Sequence, residues 1–333
     1  YRFATPFLSS MKKAAIIPVK TLGDALILMI AANKLKKANF EVTILHEGIY
    51  SLKNWFSNFH FKKFSYKELD KYDHIFLQHD EKNQNLINEL KNKTKSKLSI
   101  IYFRYVKSKH GPITDLDITL DENFSIAKSL SLKFQGILDT SILDTHILDA
   151  SILDDSANTT VLDTGITIPE ALIKNSYPKR VIIQPTSSDI KKCWTKSKFL
   201  KLAKKLKNKG FKVVFSVSPK ERKDWLFVQD QHFDLPLFHN IETLAAYIYE
   251  SAYLIGNDSF AIHLASLLNI SHIMIASNKK LTKKWRPAWL KSNIILPPSW
   301  IPNLKGFRIR EKSFQSFISI RKVFNAFKLT YLK

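Results

Sequence analysis

The stretch GNDSFAIHLASLLNI, residues 256–270, follows the apolar run Tyr253-Leu254-Ile255. An apolar run, a Gly-Asn-Asp-Ser turn and then a helix over 260–268 spell a strand–turn–helix unit. In an open α/β sheet, the turn after a strand lies at the carboxyl edge, where ligands bind. The following helix points its first amides at that edge, which makes an anion site by geometry. Asp258 and Ser259 stand at the cap, and His263 lies one turn beyond Ser259 on the same face. The plainer reading makes Asp258 or Ser259 an ordinary cap and His263 a satisfied structural histidine. The face that His263 shares with the cap favours phosphate contact.

The rest of the chain repeats this grammar. Apolar runs at 14–19, 41–45, 74–78 and 98–103 read as strands. Helical patterns fall over 25–38 and 85–93 between them. In the second half, strands are expected at 180–184, 211–217, 253–256 and 272–276. Helices are expected around Phe199–Leu206, stopped by Gly210, and over 242–252 and 260–268. Strand and helix in alternation predict parallel sheets covered by helices, in two doubly wound α/β domains. Between the halves, Ile-Leu-Asp recurs every five residues from Ile137 through Ile142, Ile147 and Ile152. Four copies and a degenerate fifth are too few for a solenoid, so the repeat reads as a connector without chemistry. The expected organisation is an N-terminal Rossmann-like domain over 11–135 and a connector over 136–178. A second Rossmann-like domain follows over 179–310, then a terminal helix over 311–333 that packs back toward the first domain.

Lys and Arg number 52 against 29 Asp and Glu, a formal charge of +23 in 333 residues. Such an excess points to an acidic partner: nucleic acid, an anionic membrane surface or a phosphorylated substrate. It is mostly lysine and spread along the chain, as in a lysine-rich proteome. The single cysteine, Cys193, excludes an internal disulfide and a cysteine-based zinc site, and fits a cytoplasmic chain. The longest apolar stretch, Ala14 to Ala32, is broken by Lys20 and Asp24, so any membrane contact would be peripheral. The ten residues before Met11 lack a signal-peptide core and stay outside the fold reading.

Three more stretches follow expected strands. Gly23-Asp24, in KTLGDA, opens the first helix, and the plainer reading of Asp24 is a helix-start acid. PTSSDIKKCW (185–194) offers the hydroxyls of Thr186, Ser187 and Ser188 and the charge of Lys191 and Lys192, a set that suits a diphosphate. Glu221 is placed to hold a ribose through two hydroxyls, or else is a first-turn charge.

Together these stretches resemble glycosyltransferase family 9, the heptosyltransferases of lipopolysaccharide core synthesis. The resemblance spans most of 14–330 apart from the repeat. GNDSFAIHLA is similar to the family signature G-x-D-[ST]-G-x-x-H-L-A, and Lys192-Cys193-Trp194 to its Lys-x-Trp phosphate loop. Gly23-Asp24 resembles its N-terminal loop, and Glu221 its first-helix acid. The resemblance implies the GT-B fold, two Rossmann-like domains facing across a cleft, and inverting, metal-independent transfer from ADP-heptose to a lipopolysaccharide acceptor. It implies Asp24 as general base. Thr186, Ser187, Ser188, Lys192, Glu221, Asp258, Ser259 and His263 become donor-binding residues. Lys20, Lys62, Lys63 and Arg104 become acceptor-side charges. Lysine and helix amides would replace a metal at the leaving diphosphate, so no cofactor is expected. The acceptor would be anionic, at the cytoplasmic face of the inner membrane.

One departure bears on the donor. Phe260 stands where the signature has glycine, which permits close backbone approach to phosphate. A same-fold transferase using another nucleotide sugar is therefore the first alternative. A basic nucleic-acid-binding protein is the second, but lysines and aromatics are not gathered into a recognisable RNA or DNA module, so nucleic acid is set aside. A metal-dependent reading of Asp115-Leu116-Asp117 lacks the rest of that class's pattern. The segment 306–333 carries Phe317, Ile320, Phe324 and Phe327 on one stripe, for a membrane surface or for packing back on the fold.

Overall fold

The computed structural model describes residues 11–94, 96–139, 162–303 and 308–331. The pentad copies at 142–161 and the ten residues before Met11 lie outside the described residues. The chain forms two units, Tyr1–Thr167 and Ile168–Lys333.

The first unit is a six-stranded sheet of β1 (Lys13–Ile17), β2 (Glu41–Leu45), β3 (His60–Lys62), β4 (His74–Gln78), β5 (Lys97–Tyr102) and β6 (Ile118–Thr119). The order is β3-β2-β1-β4-β5-β6, and every pairing is parallel. That is the strand order of a dinucleotide-binding Rossmann sheet. The expected strand over 14–19 ends at Ile17, because Pro18 has no amide for the ladder. The helix Leu22–Lys37 is buried without a break from Ala25 to Ala32. It packs on the helix Ile126–Asp139, so an apolar run long enough to resemble a membrane segment is a helix covered on more than one side. Asn33 Nδ2 donates to the Asp163 carbonyl at 3.2 Å, and Lys37 Nζ meets Asp163 Oδ2 at 2.7 Å. Gly165 closes this contact at φ +70°, where an added Cβ would sit 2.7 Å from Asn33 Oδ1.

The second unit is a five-stranded sheet of β7 (Tyr177–Gln184), β8 (Lys212–Phe215), β9 (Ser251–Asn257), β10 (His272–Ile275) and β11 (Asn293–Ile295). Its order is β11-β10-β9-β7-β8, all parallel, the other common doubly wound arrangement. Phe199, Leu202, Ala203 and Leu206 bury one stripe of the helix Lys196–Lys207, the face that their spacing predicts.

Two boundaries differ from the expected ones. The connector expected over 136–178 begins inside the helix Ile126–Asp139, and its residues 162–167 go with the first unit. The expected terminal helix is three pieces, Ile309–Lys312, Phe314–Phe317 and Ile320–Tyr331. Their breaks fall at Ser313 and at Ile318, an extended residue whose carbonyl accepts from Trp194 Nε1 at 3.2 Å and Lys198 Nζ at 3.0 Å. Phe314, Ile318, Val323, Phe324 and Phe327 all lie in the core of the second unit. The apolar stripe is therefore Phe314 with Val323, Phe324 and Phe327, and core packing uses it rather than a membrane surface.

Two buried histidines make the fold acid-sensitive. His74 starts β4, bonded to Ser99 Oγ at 2.9 Å, and His272 starts β10, bonded to the Ile270 carbonyl at 2.9 Å. Burial, foremost, lowers the pKa of each to about 4. Between pH 6.5 and about 4 the unfolded chain takes up protons that the folded chain refuses. Stability then falls with falling pH by about 1.4 kcal/mol per pH unit for each histidine. Urea unfolding at a series of pH values should show this slope, and His272→Asn should remove one histidine's share of it. A stability unchanged between pH 6.5 and 5 would contradict the assignment.

Candidate active site

The switch point of the second sheet lies between β7 and β9, whose following segments run in opposite directions. β7 ends at Gln184 and leads into the loop 185–195. Its neighbour β9 ends at Asn257 and leads into Asp258-Ser259 and the helix Phe260–Leu267. The sheet therefore brings the two most distinctive stretches of the sequence together. Asn257 differs from the expected turn, because the strand expected over 253–256 runs one residue further and includes it. Glycine is required at 256 by the neighbouring strand: an added Cβ would lie 2.6 Å from the Gln184 carbonyl oxygen.

Asp258 stands between a lysine and a histidine. Lys192 Nζ is 3.9 Å from its Oδ2, and His263 Nε2 is 4.0 Å from its Oδ1. Burial, the largest influence, lowers the His263 pKa; Asp258 pulls it up and Lys192 pushes it down again. The imidazole is therefore neutral at pH 7 and keeps one N–H to donate. Ser259 occupies the N-cap position, yet its side chain makes no capping bond. Ser259 Oγ and His263 Nδ1 are buried and have no hydrogen-bond partner among the described residues. Two such atoms at the mouth of one helix are costly to a fold, and they mark a polar site.

The hydroxyls of the 185–194 loop have other partners. Thr186 Oγ1 donates to Glu221 Oε2 at 3.1 Å and accepts from Gln184 Nε2 at 2.9 Å. Ser187 Oγ donates to the Asp258 carbonyl at 2.8 Å. Ser218 donates to Glu221 Oε2 through its amide at 3.1 Å and its hydroxyl at 2.6 Å. Thr186 and Ser187 thus cross-link three loops, while Ser188 is exposed. Trp194 is buried, edge-on to Phe199 at 5.1 Å. It anchors the loop whose lysine is presented beside Asp258.

In the first unit, the switch point lies between β1 and β4. Asp24 is in the first turn of the helix Leu22–Lys37, and Thr21 Oγ1, at the N-cap, donates to its Oδ2. The preceding loop is tied to β4, with the Val19 amide donating to Gln78 Oε1 at 3.1 Å. Lys20, Lys62, Lys63 and Arg104 follow or end β1, β3 and β5, so the topology brings all four to the carboxyl edge of that sheet. Lys62 also pairs with Glu68 at 3.4 Å. Asp117 uses both carboxylate oxygens on backbone amides, of Ile100 at 2.9 Å and Thr114 at 2.9 Å, which accounts for the Asp-x-Asp pair structurally. Among the described residues, no group of three or more His, Cys, Asp or Glu side chains is placed to hold a metal ion. No helix among them is long and apolar enough to cross a membrane.

Sequence reasoning missed Asn257. The residue was read as part of a turn, yet its side chain is fully buried and bonds both ends of the 185–194 loop. A polar residue between an apolar strand and a helix start was the available signal, and sequence alone does not show which loop lies beside it.

Two Rossmann-like units in one chain, with a lysine-bearing loop at the switch point of the second, are the architecture of the GT-B fold. Residues 144–296 match the model of Glycosyltransferase family 9 (heptosyltransferase), which bears out the resemblance read from the sequence and marks the chain as a glycosyltransferase. The fold is similar over nearly the whole chain to solved structures. ADP-heptose lps heptosyltransferase II of E. coli has a TM-score of 0.68 at 14% identity, over 96% of this chain and 98% of that one. A family 9 glycosyl transferase of Veillonella parvula has a TM-score of 0.69 at 13% identity, over 97% and 98%. E. coli heptosyltransferase WaaC with ADP has a TM-score of 0.64 at 12% identity, over 96% and 98%. No curated protein matches the chain by sequence.

Ser259→Ala removes a buried hydroxyl that has no partner among the described residues, so it should leave stability unchanged or raise it by about 1 kcal/mol. The same substitution should weaken binding of a nucleoside diphosphate. Urea unfolding and calorimetry on one preparation check both, and a loss of stability would show that the hydroxyl is structural.

Proposed function

We propose that the chain is an inverting, metal-independent glycosyltransferase that moves heptose from ADP-heptose to a lipopolysaccharide-core acceptor. The observation that carries this reading is the meeting of Lys192, Asp258 and neutral His263 at the start of the helix Phe260–Leu267. A diphosphate there gains a lysine charge, the helix amides and an N–H donor. Glu221, held by Thr186 and Ser218 at the end of β8, is near enough to the loop to take a ribose. A related solved structure described as holding ADP supports adenine as the base.

The reaction then needs one displacement. The acceptor hydroxyl oxygen attacks the anomeric carbon as the bond to the diphosphate oxygen breaks. Asp24 takes the hydroxyl proton, and attack opposite to the leaving group inverts the carbon. Lys192 and the helix amides take up the charge that develops on the leaving diphosphate, the role a metal ion plays in other transferases. Lys20, Lys62, Lys63 and Arg104 offer an anionic acceptor a row of positive charge. A chain of +23 would meet such an acceptor at the cytoplasmic face of an anionic membrane without spanning it.

Calorimetric binding of ADP, UDP, GDP and CMP with EDTA present tests the donor. ADP should bind preferentially, and Lys192→Ala should weaken it roughly tenfold or more, the cost of one charge-assisted contact. Preference for another nucleotide would keep the transferase and change the donor, which Phe260 makes the specific alternative. No binding at all would overturn the reading. Asp24→Ala should bind ADP as the wild type does while losing transfer, and full turnover in that variant would remove Asp24 from its role.

A further inference from the structure

Lys192 sits on a loop whose shape is set from outside it. Asn257, the last residue of β9, has no exposed surface. Its Nδ2 donates to the Pro185 carbonyl at 2.7 Å, and its Oδ1 accepts from the Trp194 amide at 2.9 Å. Pro185 opens the loop and Trp194 ends it, so one carboxamide closes both ends. Only a side chain with a donor and an acceptor on one planar group makes these two bonds at once. Asp would keep the acceptor and place a carboxylate against a carbonyl oxygen. Ala would leave a buried amide and a buried carbonyl without partners.

The same residue fixes the other half of the site. Asn257 precedes Asp258, so its backbone sets where the Asp258-Ser259 turn begins. Ser187 Oγ, inside the closed loop, donates to the Asp258 carbonyl at 2.8 Å. On the far side, Gln315 Nε2 donates to the Cys193 carbonyl at 3.0 Å, and Trp194 Nε1 to the Ile318 carbonyl at 3.2 Å. The tripeptide Lys192-Cys193-Trp194 is therefore held between the strand end and the C-terminal segment. That clasp places the Lys192 backbone beside the turn, and Lys192 Nζ lies 3.9 Å from Asp258 Oδ2.

We propose that Asn257 is a positioning residue of the donor site. By closing the 185–194 loop onto the Asp258-Ser259 turn, it sets the gap between Lys192 and the helix start in which a diphosphate is held. The ligand in this statement rests on the reading above, whereas the closure of the loop does not. Asn257 acts through Lys192 and the turn rather than by touching the reacting atoms.

Cys193, the chain's single cysteine, lies in the clasped tripeptide and gives a readout that needs no nucleotide. Its thiol is half-buried, and burial, foremost, raises its pKa, so alkylation by iodoacetamide is slow while the loop is closed. Asn257→Asp and Gln315→Ala are compared with the wild type for alkylation rate by mass spectrometry, and for ADP and AMP affinity by calorimetry. Asn257→Asp should alkylate roughly tenfold faster. It should lose roughly tenfold in ADP affinity and much less in AMP affinity, because AMP lacks the second phosphate that spans the gap. Gln315→Ala, which cuts one bond and leaves the Asn257 closure, should show a smaller change in the same directions. General loosening of the fold would lower both affinities together and overturn the proposal. An alkylation rate within about twofold of the wild type in Asn257→Asp would also overturn it. Wild type that binds no nucleoside diphosphate overturns the donor reading, and the alkylation rates then decide the loop closure alone.

Discussion

Parallel pairing is the constraint on which the rest of this molecule depends. When every strand runs the same way, each must be followed by a crossover helix, and the amino ends of those helices gather at one edge of the sheet. In this chain the pairings are parallel in both sheets. Residues 185–195, 216–221 and 258–260 are far apart in sequence, yet they share one edge because they all follow strands of one sheet. The constraint also fixes what can stand inside the strands. At the β7–β9 contact the backbones approach so closely that residue 256 carries no Cβ. Asn257 follows, turned into the loop that the neighbouring strand sends out.

The polar groups at that edge divide into two kinds. Thr186, Ser187, Ser218 and Asn257 use their hydrogen-bonding capacity inside the fold, and each bond removes a way for a loop to move. Ser259 Oγ and His263 Nδ1 are buried and make no such bond among the described residues. A buried donor or acceptor without a partner costs about 1–3 kcal/mol. A fold keeps such groups beside a rigid frame when they serve something other than stability. The division explains why hydroxyl-rich sequence is a poor guide to which residue meets a ligand. Thr186 and Ser187 are as polar as Ser259, and only their neighbours in space separate the two kinds.

Much of the architecture was legible in the sequence. The strand over 41–45 was placed to the residue, and the helix expected over 260–268 runs over Phe260–Leu267, because long apolar runs between turn signals leave little choice. The short strands β3, β6 and β11, with two or three residues each, carry too little pattern to be read, and they form because a sheet edge already exists beside them. The break at Ile318 was likewise hidden. Residues 306–331 show helical spacing throughout, and the competing bonds from Trp194 and Lys198 come from more than a hundred positions away. In the candidate site, the residue types around Asp258 were legible from the signature. The partners of Thr186 and Asn257 were not, since a hydrogen bond between loops leaves no periodic trace.

Charge supplies the last step. The helix Lys196–Lys207 buries Phe199, Leu202, Ala203 and Leu206, and several of its lysines serve the fold. Lys196 Nζ donates to the Asp224 carbonyl at 2.7 Å, Lys198 Nζ to the Ile318 carbonyl at 3.0 Å and Lys204 Nζ to Gln231 Oε1 at 2.7 Å, so part of the excess positive charge is used at the protein surface. Exposed charges of this kind are screened within about 8 Å at physiological salt and affect encounter rates more than affinity. Lys192 differs in kind. It is 42% exposed, but it faces a carboxylate that a buried histidine also approaches, on a loop fixed at both ends. A fixed charge beside a low-dielectric wall interacts more strongly than a mobile charge in water, because no reorganisation is needed when an anion arrives. On the proposed reading, the net charge of the chain would draw an anionic partner in, and the rigidity of one loop would set where it is held.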